Sequence, residues 1–198
     1  MVQGKEENRE PVIGLFFGSF NPIHNGHVGI ARYLLEKKLC AEVWFVVSPC
    51  NPFKVDHFLL PETDRLAIVS AGIGRIPGMK ACDVEFSMPK PSYTVDTLRV
   101  LFDRYPGQQF ALIIGGDNVP DFSKWKDYHW IETHCSIFVY PRPGMVTSVE
   151  KFASMTLIDA PLFPLSATEI REMIRKGDDI SSLVPSEALS LILKLYSK

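Results

Sequence analysis

Two histidines, His24 and His27, stand three residues apart in a loop that also carries glycines. The loop covers residues 18–27 (GSFNPIHNGH), between an apolar run and a helical pattern. Glycine lets the backbone approach a ligand closely, and the first N–H groups of a helix attract anions. An imidazolium is a compact donor whose charge can be tuned near neutral pH. The spacing therefore predicts a phosphate site; the alternatives are two solvent-exposed histidines, or one capping and one core histidine.

A second candidate for phosphate binding lies in residues 165–171 (LSATEIR). Ser166 and Glu169 form the S-x-x-E pattern of a capping box, which predicts the start of an amphipathic helix. The amide groups at that start, the Thr168 hydroxyl and the Arg171 guanidinium one turn further on suit triphosphate oxygens. Simple capping beside a surface arginine is the alternative.

Three further side chains are candidates for ligand contacts, each with an ordinary alternative. Lys54 follows the second apolar run, and its flexible ammonium can follow a phosphate as charge develops, unless it is a solvated surface lysine. Asp117, after two glycines, is a plausible acceptor for ribose hydroxyls or a helix N-cap. Trp125 lies outside any clear amphipathic pattern and can stack on a flat heterocycle or belong to the core.

Several segments resemble the motifs of one enzyme family. The loop at 18–27 is similar to the G-[TS]-F-[DN]-P-x-H-x-G-H signature of the nucleotidyltransferase superfamily. Trp125 sits where nicotinate-nucleotide adenylyltransferases carry a ring-stacking tryptophan. Their other motifs are matched in order by residues 92–98 (SYTVDTL), 113–117 (IIGGD), 140–144 (YPRPG) and 165–171. The chain is identified as resembling this family from residue 12 to about residue 196.

The resemblance implies transfer of AMP from ATP to nicotinate mononucleotide, which gives deamido-NAD and pyrophosphate. It implies that Trp125 stacks on the pyridine ring, while Tyr93 and Thr94 supply backbone donors for its carboxylate; a plain helix start is the alternative for that pair. Residues expected to take part in catalysis are His24, His27, Lys54 and Arg171. The expected ATP site comprises Gly18, Ser19, Phe20, His24, His27, Asp117, Ser166, Thr168 and Arg171, the last three holding the outgoing phosphates.

Four positions bear on how far the resemblance extends. Asn21 stands where many relatives have aspartate, and Ala167 replaces a serine of the closing motif. Phe53 replaces a histidine in the loop that carries Lys54, and His57 is a possible substitute for it. No carboxylate cage is visible in the sequence, so Mg²⁺ is expected to accompany ATP, held mainly by phosphates and water.

Two other functions are compatible with the phosphate loop. One is another enzyme of the superfamily, which transfers AMP to phosphopantetheine or CMP to a phospho-alcohol. Such enzymes do not combine the SYTxxTL segment with the tryptophan. The other is a catalytically idle nucleotide-binding sensor, against which the intact His24, His27, Thr168 and Arg171 argue.

The elements that must position these residues alternate between strands and helices. This order predicts an α/β fold, a Rossmann-like doubly wound parallel sheet with helices on both faces and ligands at the carboxyl ends of the strands. Strands are predicted at 12–17, 43–47, 79–84, 110–114, 137–140 and near 157–158. Helices are predicted from the high twenties to Lys38, through 65–69, and at about 93–104, 167–176 and 186–196.

Composition limits the remaining possibilities. The 198 residues fit a single domain, with a flexible polar start at 1–10 and a C-terminal helical part at 165–198. The net charge of −2 disfavours long nucleic acids as partners. The four cysteines form no CxxC pair, which favours inert thiols in a reducing compartment. No leader pattern or membrane-length apolar run is present, so a cytoplasmic protein without a membrane partner is expected.

Overall fold

One parallel sheet organises the part of the chain that the computed structural model describes, residues 11–49, 59–145 and 147–197. Its strands stand in the order β3-β2-β1-β4-β5-β6. The predicted polar start and Lys54, Phe53 and His57 lie outside the described residues. The strand bounds are β1 Val12–Gly18, β2 Glu42–Val47, β3 Met79–Cys82, β4 Gln109–Gly115, β5 Ser136–Tyr140 and β6 Met155–Leu157.

Helices connect the strands and cover both faces of the sheet. Two 3₁₀ segments, Val84–Ser87 and Gly116–Lys124, follow β3 and β4. No helix in the described ranges has the length and apolarity needed to cross a bilayer. The helix bounds are α1 Asn25–Glu36, α2 Glu62–Ile73, α3 Thr94–Arg104, α4 Tyr128–His134, α5 Ala167–Lys176 and α6 Ser186–Tyr196.

Two hydrophobic cores lie on opposite faces of the sheet. Alternate side chains of β1 separate between them, with Ile13 and Leu15 in one core and Phe16 in the other. The core around Phe16 is covered by α1, α2, α5 and α6, while the core around Leu15 is covered by α3 and α4. The prediction of a doubly wound parallel sheet with helices on both faces is therefore confirmed.

The second and third strands extend the sheet to one side of β1 and the last three extend it to the other side, and this switch point positions the site. β1 pairs in parallel with β2 on one side and with β4 on the other. Their connections leave the sheet in opposite directions, so a crevice opens beyond their carboxyl ends. The histidine loop follows β1 and Asp117 follows β4, and both are therefore at this crevice.

The structure differs from the sequence prediction around β3 and after β4. The predicted strand at 79–84 ends at Cys82, and a 3₁₀ turn replaces its last residues. The 3₁₀ segment after β4 and α4 were not predicted. Pro120 interrupts the first, and Ile131 is the buried residue of the seven-residue α4, so neither has a long apolar period to recognise.

Candidate active site

The two histidines stack on each other at the start of α1. Their ring centroids are 3.7 Å apart and their planes differ by 25°. His24 is the extended residue before the helix and His27 lies in its first turn, so a spacing of three places both on one side. The His24 backbone N–H also donates to Nδ1 of His27 at 3.3 Å. The predicted convergence of the imidazoles is therefore present.

His24 is buried and electrically neutral, which the sequence prediction of an imidazolium did not anticipate. Its exposed fraction is 4%, and its Nδ1 has no hydrogen-bond partner among the described residues. Burial, together with the positive charge of Arg142, lowers the pKa of His24 from 6.5 to about 4. A buried ring nitrogen without a partner is costly to a folded protein, and such atoms are often found where a ligand binds.

A cleft opens beside the histidine pair. A Cβ atom at Gly26 would lie 3.0 Å from Nδ1 of His24, so the absence of a side chain there lets the ring pack closely against the start of the helix. Any side chain at position 26 would therefore crowd the His24 ring. The cleft is lined by His24, Gly26, His27, Ile30, Tyr140, Pro141, Arg142 and Phe163.

Arg142 is a site residue that the sequence analysis missed. Its Nε donates to Oδ1 of Asp117 at 3.3 Å, and its guanidinium lies 5.0 Å from the centroid of the Tyr140 ring. A Cβ atom at Gly115 would collide with this Asp117–Arg142 pair. The glycine thus makes room for a charged pair at the cleft. The resemblance at residues 140–144 was the available signal for Arg142.

Phe20, a predicted ATP-binding residue, has its side chain in the core, where it contacts His27. Its side chain is 2% exposed and belongs to the core around Phe16. The Phe20 ring meets the His27 ring edge to face, with centroids 5.1 Å apart, and packs against Gly18. Phe20 therefore fixes the position of His27, and any contact of residue 20 with a ligand would come from its backbone.

The start of α5 meets the histidine loop. Arg171 donates from one guanidinium nitrogen to the backbone oxygen of Asn21 at 2.7 Å and from the other to Oγ1 of Thr168 at 3.3 Å. The predicted capping box is present, since Oγ of Ser166 accepts from the Glu169 N–H and donates to its carboxylate. The Ser166 hydroxyl is thus used in capping, while Thr168 is exposed beside Arg171.

Asn21, which stands where many relatives have aspartate, stabilises the histidine loop through internal hydrogen bonds. It is 1% exposed, and its Oδ1 accepts from the Leu60 N–H at 3.3 Å and from the Tyr196 hydroxyl of α6. Its side chain contacts protein groups away from the cleft. The asparagine therefore connects the loop to the C-terminal helix, and the loss of a carboxylate here changes an internal contact.

A buried arginine, Arg65 of α2, ties the ends of β1 and β2 together. Its guanidinium donates to the backbone oxygens of Ser19 at 2.6 Å, Ser48 at 2.8 Å and Pro49 at 3.0 Å, and its Nε donates to Leu60 at 2.9 Å. Ser19, a predicted ATP-binding residue, is thereby held through its carbonyl. This role was not predictable from the sequence, because an arginine in an amphipathic helix normally faces water.

The segments that carry the residues predicted to bind the pyridine ring contact each other. Trp125 is half-buried, and its ring centroid lies 5.4 Å from that of Phe122. The next residue, Lys126, reaches the start of α3, where its ammonium lies 5.0 Å from the centroid of the Tyr93 ring. Thr94 is the first residue of α3. The structure thus brings the segments of Trp125, Tyr93 and Thr94 together.

The donor groups of the site do not form a metal cage. Among the residues that the structure describes, no three His, Cys, Asp or Glu side chains are grouped so that they could hold a metal ion. Asp117, the carboxylate at the crevice, is paired with Arg142. These imidazole, guanidinium and hydroxyl groups suit phosphate oxygens, and they fit a divalent ion only where phosphates supply most of its ligands.

Comparison with known proteins identifies the family. A family model described as cytidylyltransferase-like matches residues 15–173. A probable nicotinate-nucleotide adenylyltransferase of Cytophaga hutchinsonii is 49% identical over 188 residues, which cover 93% of this chain and 98% of the relative. A protein of the same description from Bacteroides fragilis is 45% identical over 84% of each chain. This chain belongs to the nicotinate-nucleotide adenylyltransferase family.

Solved structures agree with this family in fold. The nicotinic acid mononucleotide adenylyltransferase of Plasmodium falciparum, in complex with NaAD, superposes with a TM-score of 0.79 at 21% identity, covering 94% of this chain and 97% of that one. A Vibrio parahaemolyticus structure described as a putative nicotinate-nucleotide adenylyltransferase gives 0.68 at 20% identity, covering 92% and 99%. The adenylyltransferase fold is thus preserved along nearly the whole chain.

Proposed function

We propose that this chain transfers the AMP part of ATP to nicotinate mononucleotide, with deamido-NAD and pyrophosphate as products. The observation that carries the proposal is the stacked pair of His24 and His27 at the sheet's switch point, with the start of α5 held against the same loop through Arg171. Membership of the adenylyltransferase family supports the choice of substrates.

The chemistry requires placement and charge stabilisation more than proton removal. A phosphate oxygen of the mononucleotide attacks the α-phosphorus of ATP in line, and the bond from that phosphorus to the bridging oxygen of the β-phosphate breaks. The attacking oxygen is already anionic, so the step needs no strong base and no covalent enzyme intermediate. Catalysis then comes from positioning and from donors aimed at the developing charge.

The phosphate side of the site supplies those donors. His24 offers a neutral imidazole that lines the cleft, and His27 stacks beside it. Thr168 and Arg171 would hold the outgoing β- and γ-phosphates together with the amides at the start of α5. Arg142 adds a positive charge at the same cleft. Lys54 remains a predicted contact with the reacting phosphates.

The opposite side of the crevice would hold the pyridine nucleotide. Trp125 is half-buried and would stack on the ring, and the start of α3 would offer the amides of Tyr93 and Thr94 to a carboxylate. Asp117 would accept from ribose hydroxyls while Arg142 balances its charge. We further propose that ATP enters as its Mg²⁺ complex and that the reaction takes place in the cytoplasm.

Pyrophosphate release from ATP tests the proposal when three acceptors are assayed in parallel. Nicotinate mononucleotide is expected to support release best, above nicotinamide mononucleotide and phosphopantetheine. Release with phosphopantetheine alone would assign another transferase activity. Binding of ATP without release for any acceptor would favour a nucleotide sensor.

A further inference from the structure

A buried carboxylate, Glu85, lies under the start of α3 outside the groups assigned above. The side chain is 2% exposed and belongs to the 3₁₀ turn Val84–Ser87 that follows β3. One carboxylate oxygen accepts from Oγ of Ser92 and the other from Oγ1 of Thr97, each at 2.7 Å. A buried carboxylate is costly unless its oxygens are hydrogen-bonded, so these bonds fix where the side chain sits.

The two hydroxyl donors flank the residues that would bind the pyridine carboxylate. Ser92 comes directly before Tyr93, and Thr97 lies one turn into α3. Oγ1 of Thr97 also lies 3.3 Å from the backbone oxygen of Tyr93. Ser92 and Thr97 are themselves buried, so the clamp that they form with Glu85 has little room to move. The backbone of Tyr93 and Thr94 is therefore held between two bonds to one carboxylate.

We propose that Glu85 is a positioning residue that sets the preference for an acid over an amide on the pyridine ring. By holding Ser92 and Thr97, it aims the N–H groups of Tyr93 and Thr94 at the ligand carboxylate. This inference rests on the proposed function and adds a determinant of its selectivity. Glu85 itself does not touch the substrate.

The physical basis is the different demand that the two ligands make on these amides. A carboxylate presents only acceptors, and its bonds to N–H donors are charge-assisted and about twice as strong as neutral ones. A carboxamide offers a single acceptor oxygen, and its NH₂ group opposes another donor. Loosening the amides therefore costs the acid more binding than the amide.

The nearest exposed charges do not account for such a preference. Nζ of Lys126 lies 3.0 and 2.8 Å from the two carboxylate oxygens of Asp96, in the first turn of α3. The positive and negative charges of this pair offset each other beside Tyr93, and the pair is exposed to water. We therefore attribute the preference to the placement of the Tyr93 and Thr94 amides by the buried clamp, and not to surface charge.

Steady-state kinetics on three clamp variants test the proposal. Thr97→Val removes one hydroxyl with little change of shape, Ser92→Ala removes the other, and Thr97→Ser keeps a hydroxyl. Thr97→Val and Ser92→Ala are expected to raise the KM for nicotinate mononucleotide about tenfold, the factor for one lost buried hydrogen bond. The KM for nicotinamide mononucleotide and for ATP is expected to change less than about threefold, and Thr97→Ser to restore the wild-type ratio.

Controls separate this proposal from a loss of stability and from failure of the proposed function. Leu101→Val loosens the buried far end of α3 and is expected to lower the melting temperature while keeping the ratio of the two KM values. If Thr97→Val does not fold, Ser92→Ala decides. A folded Thr97→Val or Ser92→Ala variant that keeps the ratio of the two KM values, or that raises the KM for ATP and both mononucleotides alike, would overturn the proposal. Wild-type protein without activity on either mononucleotide would instead overturn the proposed function.

Discussion

The phosphate side and the pyridine side of the crevice are held in place by different means. The histidine loop is tied by buried and partly buried hydrogen bonds from distant parts of the chain, including Arg65 of α2, Arg171 of α5 and Tyr196 of α6. Asn25, at the start of α1, adds bonds to the backbone of residues 182–183. Bonds of this kind fix the loop before any ligand arrives.

The pyridine side depends on one buried clamp and on surface ion pairs. Beyond Glu85 with its two hydroxyls, the contacts between α3 and the Trp125 segment include the exposed pairs Lys126–Asp96 and Arg99–Asp127. Lys126 and Arg99 also lie over the rings of Tyr93 and Trp130. Exposed ion pairs contribute little to stability. The comparison indicates that several long-range hydrogen bonds preorganise the phosphate side, whereas the pyridine side, outside the Glu85 clamp, is held mainly by exposed contacts.

The largest effect is expected from His27→Ala on the phosphate side. Removing one preorganised donor should lower kcat by about 10²–10³ while the fold is kept. Steady-state turnover with circular dichroism as a check of folding measures this. His129→Ala, at an exposed histidine of α4, is the matched control and should turn over normally. Near-normal turnover or unfolding of His27→Ala would contradict the assigned role.

The stability of the two sides can be compared directly with two arginine variants. Arg65→Met leaves buried carbonyls without a charged donor and is expected to lower the free energy of unfolding by about 3 kcal/mol. Arg99→Met breaks an exposed pair on the pyridine side and is expected to cost less than about 1 kcal/mol. Urea unfolding measures both. Equal costs would remove the distinction between the two sides.

A pH dependence of stability is expected from His24. Its folded pKa of about 4 lies below its ordinary value of 6.5, so the unfolded chain binds a proton that the folded chain does not between these values. Stability is therefore full above about pH 6.5 and falls as the pH drops toward 4, by up to about 3 kcal/mol. Urea unfolding at several pH values measures it, and His24→Asn should remove that part of the dependence. An unchanged profile in His24→Asn would contradict the burial of a neutral imidazole.

A smaller effect on function than that of His27→Ala is expected from Trp125→Ala. Loss of the stacking surface should weaken binding of nicotinate mononucleotide about tenfold and leave ATP binding intact. Calorimetric titration with each nucleotide separates the two. If both nucleotides bind more weakly to the same extent, Trp125 serves the packing against Phe122 instead.

Local sequence signals were sufficient for the fold and for part of the site. The apolar strands and helical periods predicted the doubly wound sheet, and the capping box at Ser166 and Glu169 is present in the structure. The i, i+3 spacing of His24 and His27 also predicted that they meet, because a helix turn enforces it.

Roles that depend on long-range contacts were not predictable in this way. Arg65 and Glu85 have the residue types of a solvent-exposed surface, yet they are buried by partners far along the chain or in another element. Arg142 comes next to Asp117 only because β5 pairs with β4. Sequence periodicity carries no information on such pairings, so these residues became candidates only in three dimensions.

Two imidazoles and the start of α5 are expected to converge on the triphosphate of bound ATP. A crystal structure with a non-hydrolysable ATP analogue would show whether they do. The expected result places phosphate oxygens within hydrogen-bonding distance of His24 or His27 and of Arg171, about 2.7–3.2 Å. A triphosphate bound elsewhere, with both imidazoles still stacked and out of contact with it, would contradict the claim.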